Sequence, residues 1–174
     1  MTETDGPLDK QITMLIASAT QTIEAYCKRR FSQGTHTEVY SGGKTRIALR
    51  HYPVQQVRSV KTVGGQAITG YELLPSDGTL VLPAGWPAGE DNIKVEYDAG
   101  YVTPEQAAST QQPSTLPACV EMACIRYVQL MYEGQIGKSS ERLGDYAVTY
   151  TDTPHGQLPQ AVAQLLEPCL GRWL

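Results

Sequence analysis

Between Lys10 and Phe31 apolar residues recur every three or four positions, at Ile12, Leu15, Ile16, Ala19, Ile23 and Cys27. This spacing predicts an amphipathic helix, with Asp9 placed to cap its start. Lys28-Arg29-Arg30 closes the segment. Cations suit the negative end of a helix dipole, so the cluster reads as a solvated helix end rather than a phosphate grip.

From His36 to Tyr101 the pattern changes to short β-rich runs separated by Gly and Pro, such as "THTEVYSGG", "VRSVKTVGG" and "GYELLPSDGTLVL". In "NIKVEYDAGY", Ile93, Val95 and Tyr97 alternate with Lys94, Glu96 and Asp98, which predicts a strand buried on one side. Ser41-Gly42-Gly43 and Ser76-Asp77-Gly78 read as hairpin turns. The tight spacing predicts antiparallel meanders rather than parallel crossovers. The following "PEQAASTQQPSTLP" has almost nothing to bury and reads as a connection, functional or mobile, back to helical sequence.

Leu116 to Glu133 predicts a second helix. At 100° per residue, Glu121, Arg126, Gln129 and Glu133 share one polar arc, and the wide apolar remainder predicts the centre of a bundle. Met122, Ile125 and Tyr132 project into that same polar arc. Three apolar residues there are read as a partner surface, with packing under the β portion as the alternative. Next comes "ERLGDYAVTY", read as one strand with Tyr146, Val148 and Tyr150 on one face. Gly144-Asp145 launches it, with Asp145 accepting hydrogen bonds from the backbone. A lone strand must pair with something. Its candidates are the chain's own β portion and an extended segment of a neighbouring copy; the second is the expectation. A last helix starts near Pro159 with Val162, Leu165 and Leu166, and Pro168 should kink or restart it. The chain closes on "CLGRWL", whose apolar end is either tucked onto the core or offered to another protein.

Composition narrows the function. The 174 residues suffice for one domain, or a domain with an insertion, and a real core. A net charge of -4 argues against a broad basic face that grips nucleic acid. No apolar run approaches a membrane span, and "MTETDGPLDK" lacks the shape of a signal peptide, so a cytosolic setting, or an assembly built there, is expected. Ten Tyr against one Phe and two Trp point either to interfaces or to half-exposed strands. Cys27, Cys119, Cys124 and Cys169 form no C-x-x-C pair, and none has a His beside it, so they read as small buried hydrophobes.

Apparent chemical motifs fail on context. Gly43-Lys44-Thr45 resembles the end of a phosphate-binding loop, but Glu38 stands where that motif needs a Gly, and a strand follows instead of a helix. Ser41 and Lys44 match a serine–lysine pattern whose geometry needs a helical turn. Glu96 and Asp98 lie on a polar strand face and read as solvated charges, not an acid–base pair. A small hydrolase is therefore only a remote alternative. Neither a catalytic nor a metal residue is assigned, and no cofactor is expected.

The ordered segments "LIASATQTIEAYCKRRF" (15–31), "YSGG" with "YPV", "NIKVEYDAGY" (92–101), "LPACVEMACIRYVQLMYEGQ" (116–135), "ERLGDYAVTY" and "LPQAVAQLLEPCL" together resemble the head-tail connector (adaptor) proteins of long-tailed bacteriophages and prophages. The resemblance implies an α+β fold: a small bundle of three main helices (9–31 and 116–174), with an antiparallel β-rich insertion at 36–101 between helices one and two and a linker at 102–115. It implies a virion protein, assembled in the host cytoplasm, that is not an enzyme. Its copies form a ring, commonly a dodecamer, beneath the portal protein and above a stopper or tail-completion protein, with genomic DNA passing through the channel. A role as the tail-completion or stopper component itself is the alternative. On this reading Met122, Ile125 and Tyr132 serve subunit contacts, as does the strand with Asp145, Tyr146, Val148 and Tyr150, while Leu170 and Trp173 in the last segment dock toward the portal. The end "EPCLGRWL" departs from the more basic tail expected of such relatives.

Overall fold

A computed structural model describes residues 6–134, 140–143, 146–149 and 158–171. The fold is α+β, and it divides into two compact units, Met1–Lys28 with Pro117–Leu174, and Arg29–Leu116.

The helical unit is built from α1 (Pro7–Cys27), α3 (Ala118–Tyr132) and α4 (Gln160–Leu166), with a short 3-10 helix at Glu167–Cys169. α3 packs against both α1 and α4, the central place its apolar breadth predicted. Helix α1 starts earlier and ends sooner than the apolar spacing implied. Asp9 caps it from inside the first turn: its carboxylate accepts the Gly6 N–H at 2.9 Å, while Pro7 sits where a missing N–H costs nothing. Lys28 ends the helix in the left-handed conformation (φ 53°) and returns its N–H to Ala25. Ala19, Ile23 and Cys27 are buried, but Ile12 and Ile16 of the same stripe, and Leu8 before them, are exposed. The stripe therefore continues about two turns beyond the unit's own core. Helix α4 follows Pro159 as expected, and Pro168 restarts the chain as the 3-10 helix.

The β unit holds β1 (Gly34–Tyr40), β2 (Arg46–Ala48), β3 (Val54–Thr62), β4 (Glu72–Leu74), β5 (Thr79–Val81) and β6 (Ile93–Ala99), then the helix α2 (Pro104–Thr110). One antiparallel sheet runs β1-β6-β3 and the other β2-β5-β4. The alternation read in 93–99 is real: Ile93, Val95, Tyr97 and Ala99 are buried, and they share a core with Ile47, Leu80 and Trp86. The strands are antiparallel as predicted, but only β4 and β5 form the expected hairpin, turning at Ser76-Asp77-Gly78. The turn at Ser41-Gly42-Gly43 is not a hairpin. It carries the chain from one sheet to the other, because β1 pairs with the distant β6 and β2 with β5. The stretch read as a bare connection contains α2, held by a reciprocal cap between Thr103 and Gln106 rather than by buried side chains.

The segment read as one lone strand is two. β7 (Ser140–Leu143) pairs antiparallel with β8 (Tyr146–Thr149), with Glu141 opposite Val148 and Leu143 opposite Tyr146. Within the chain, then, each half of the segment pairs with the other half and not with the β unit. Among the described residues neither outer edge of this ribbon pairs further.

Candidate functional site

Three places concentrate chemistry or unusual exposure. The first is the outward face of α3. Met122, Ile125 and Tyr132 are 53%, 46% and 57% exposed. With Ala118 and Gln129, also exposed, they recur at spacings of four, three, four and three residues. Val120 and Ala123, on the opposite side, are buried. A seven-residue rhythm on the solvent side of a helix matches the seam by which one helix packs along another. Glu121 and Arg126 flank the seam with opposite charges.

The second is a polar cluster in the β unit that the sequence left as scattered residues. Strand register sets His36 opposite Tyr97, and β1 places Glu38 and Tyr40 two and four residues on. The His36 and His51 rings stack with centroids 3.9 Å apart. Glu38 accepts hydrogen bonds from the Tyr97 hydroxyl, at 2.6 Å, and from the Tyr40 hydroxyl. His51 Nε2 and Arg50 lie 3.6 Å and 4.0 Å from its other oxygen. His51 Nδ1 accepts the Arg30 N–H at 3.2 Å, so the neutral ring carries its proton on Nε2, toward Glu38. Burial, then the neighbouring His36, pull His51 down to about 4 against the attraction of Glu38. Burial likewise lowers His36. Burial, followed by the bond to Glu38, pushes both Tyr40 and Tyr97 above the ordinary phenol range. Two phenols hold their protons against a carboxylate that accepts from both, while the buried Nε2 of His36 has no hydrogen-bond partner among the described residues. The cluster fastens β1 and β6 to the 50–51 loop.

The third is Arg29, expected at a solvated helix end and found buried. The helix stops one residue earlier than the cluster, which turns Arg29 into the β unit. Its guanidinium lies 3.6 Å from the Tyr52 ring centroid, within 5.0 Å of Phe31 and 5.8 Å of Tyr101, and donates to the Tyr52 carbonyl. Stacking on aromatic faces replaces the lost water.

The motifs dismissed from sequence are structural in this fold. Ser41 Oγ accepts the Asp91 N–H at 3.0 Å, and the Gly42 N–H is shared between Gly89 O and Asn92 Oδ1. Asp98, on the polar strand face, accepts from Thr35 and forms a two-oxygen contact with Arg58 at 2.9 Å, and these bonds lower its pKa. Among the described residues no three metal-binding side chains cluster, and no helix is long and apolar enough to cross a membrane.

The other residues named from sequence are dispersed. Leu170 is half-buried after the 3-10 helix, Tyr146 and Val148 lie in β8, and Asp145, Tyr150 and Trp173 fall outside the described residues. One juxtaposition went unread: the sulfurs of Cys119 and Cys169 lie 3.2 Å apart.

No curated protein matches the chain significantly. Among solved structures it is similar to a chain in the neck of an empty gene transfer agent particle with C6 symmetry, at TM-score 0.58 and 18% identity over 97% of this chain and 82% of that one. A chain in the native particle's neck with C12 symmetry gives 0.59 and 15%, covering 94% and 83%. A chain from the virion of the native particle gives 0.57 and 16%, covering 95% and 79%. These likenesses concern the fold. The model of the head completion protein family matches residues 1–168, nearly the whole length, so the chain belongs to that family, a structural virion protein and not an enzyme.

Proposed function

We propose that this head completion protein is the adaptor of the particle neck: its copies close into a ring, twelve in the virion, between the portal of the DNA-filled capsid and the stopper or tail-completion protein. The outward seam of α3 is the observation that carries the reading, because an apolar helix face with coiled-coil rhythm serves no purpose in an isolated subunit. A ring contact joins two different patches of the same chain, since the interface closes by rotation. The exposed first turns of α1, with Leu8, Ile12 and Ile16, supply the second patch against Met122, Ile125 and Tyr132 of the next copy. Similar folds occur in necks of C6 and C12 symmetry, which supports cyclic assembly. The outer edges of the β7–β8 ribbon, unpaired among the described residues, give a neighbour's extended segment a place to pair, which keeps Asp145, Tyr146, Val148 and Tyr150 in the proposed interface. Leu170 and Trp173 belong to the portal-facing end. A net charge of -4 suits a channel that lets DNA pass without holding its phosphates.

Native mass spectrometry and negative-stain microscopy test this, at high protein concentration and with portal protein present. A ring is expected for the wild type and not for Ile125→Glu, whose circular dichroism should match the wild type because the side chain is exposed. A wild-type chain that stays monomeric in every condition and fails to bind portal refutes the proposal. Capture of tail-tube protein in place of portal assigns it to the stopper position instead.

A further inference from the structure

We infer that Cys119 and Cys169 are a disulfide-forming pair that staples the C-terminal segment to the central helix when the protein meets an oxidising medium. Cys119 lies in the first turn of α3 and Cys169 ends the 3-10 helix, fifty residues later in the chain, yet their sulfurs are 3.2 Å apart. A disulfide needs the sulfurs at about 2.0 Å, so closure asks for a movement of about 1 Å, within reach of side-chain rotation. Both carriers are held in place. Leu166, just before the 3-10 helix, is fully buried, and the Gly171 N–H just after Leu170 bonds the Cys27 carbonyl at 3.0 Å. Val120, next to Cys119, is also buried. The two thiols are held together by the packing of their helices, and not by chance motion of a loose tail. Both residues are only half-buried, so a small oxidant can reach them. The other two cysteines differ: Cys27 is buried, and burial raises the Cys124 thiol, which makes it a poorer nucleophile.

With a low-molecular-weight disulfide as oxidant, the chemistry balances by two exchanges. One cysteine thiolate attacks the oxidant and releases one small thiol, leaving a mixed disulfide. The second cysteine thiolate attacks the protein sulfur of that mixed disulfide and releases the other small thiol. The protein loses two hydrogens, and the oxidant is reduced to two thiols. Inside a cell, reducing thiols keep the pair open; a released particle enters conditions where such bonds persist. Only this timing rests on the virion reading. Bond formation itself is a property of the folded chain.

The full-length protein, oxidised with glutathione disulfide and then alkylated, is compared by intact mass and peptide mapping with a reduced sample. Wild type and Cys124→Ser are expected to lose two hydrogens and to yield one crosslinked peptide joining Cys119 to Cys169. Cys119→Ser and Cys169→Ser should form no internal bond and should keep a glutathione adduct on the remaining partner. The oxidised wild type should melt about 8–16 °C above the reduced form, the order expected for closing a loop of this length in a chain of this size. Wild type that retains four alkylatable thiols, crosslinks other cysteines, or stops at a stable mixed disulfide overturns the inference. Purified particles mapped without reductant test the timing separately. An open pair there refutes the staple in the virion, and failure of the ring leaves the result for the isolated chain standing.

Discussion

His51 should make the β unit start to lose stability in acid above the pH at which carboxylates titrate in an unfolded chain. In the folded state its Nδ1 lone pair is taken by the Arg30 N–H, and His36 stacks on its face. Protonation at Nδ1 would set two donors against each other in a site where the His51 side chain is only 14% exposed. Glu38 on the Nε2 side pulls the other way, but burial and His36 win, holding the ring at about 4. An unfolded His titrates near 6.5. Between those values the unfolded chain binds the extra proton, so stability rises with pH across the window. The His51 contribution is therefore complete above pH ~6.5 and falls away as the pH drops toward 4. Moving from pH 7 to 4.5 should cost about 2 kcal/mol from the stacked His51–His36 pair, in which a charge on either ring disfavours a charge on the other.

Urea unfolding followed by Trp fluorescence measures this. The chain has two Trp, so Trp173→Phe is placed in every sample to leave buried Trp86 as reporter of the β unit. The comparison is with His51→Asn, whose carbonyl can accept the Arg30 N–H but does not titrate. Wild type should lose about 2 kcal/mol more than the variant between pH 7 and 4.5. Equal losses in the two proteins would refute the reasoning, because they would place the acid sensitivity elsewhere, with Asp98 the first suspect. Its lowered pKa also gives stability that disappears as pH falls, through the loss of the Arg58 contact.

Three further substitutions separate steric, conformational and electrostatic causes in the same unit, each read as a urea midpoint at pH 7. Gly42→Ala would place a Cβ 1.8 Å from the Pro87 carbonyl oxygen and should cost about 2–3 kcal/mol, since backbone must move. Gly43→Ala meets nothing closer than 3.9 Å but keeps φ at 86°, so about 1–2 kcal/mol is expected from the left-handed backbone alone. Arg29→Lys keeps the charge and loses the planar stack on Tyr52; it should cost about 1–3 kcal/mol and be no better tolerated than Arg29→Met. A wild-type midpoint for Arg29→Lys would mean that charge, not stacking, holds the site.

How far the sequence was legible follows from which contacts are local. The alternation of Ile93 to Ala99 and the stripe from Ala19 to Cys27 are periodic, and each lies on its predicted buried face. The outward placement of Met122, Ile125 and Tyr132 came from the same angular reasoning. What periodicity missed is pairing across distance. No local signal joins β1 to β6 across the whole insertion, yet that pairing brings His36 to Tyr97 and creates the Glu38 cluster. Arg29 looked solvated because the basic run was taken as helix; a helix ending at Cys27 sends it into the β unit instead. Cys119 and Cys169 meet only because α3 and α4 pack. At Ile12 and Ile16 the spacing continues but the burial does not, because the part of α1 that the helical unit's own core covers begins at Ala19.

The β7–β8 ribbon carries the same lesson to its physical consequence. Leu143 pairs opposite Tyr146, and the intervening Gly-Asp dipeptide is a hairpin signal in the sequence that was read as the start of one strand. Pairing with itself satisfies the ribbon's inner backbone groups, yet two strands of four residues are marginal without further cover. Cover from the same chain would slow amide exchange at Glu141–Leu143 and Tyr146–Thr149 equally in the free subunit and in the ring. Cover from a neighbouring copy would slow it only in the ring. Hydrogen exchange on both forms is expected to give fast exchange in the free subunit and strong protection after assembly, with the α3 core slow in each. Equal protection in the two forms would assign the ribbon to the subunit's own fold and remove Tyr146 and Val148 from the interface, while leaving the α3 seam to stand on its own test.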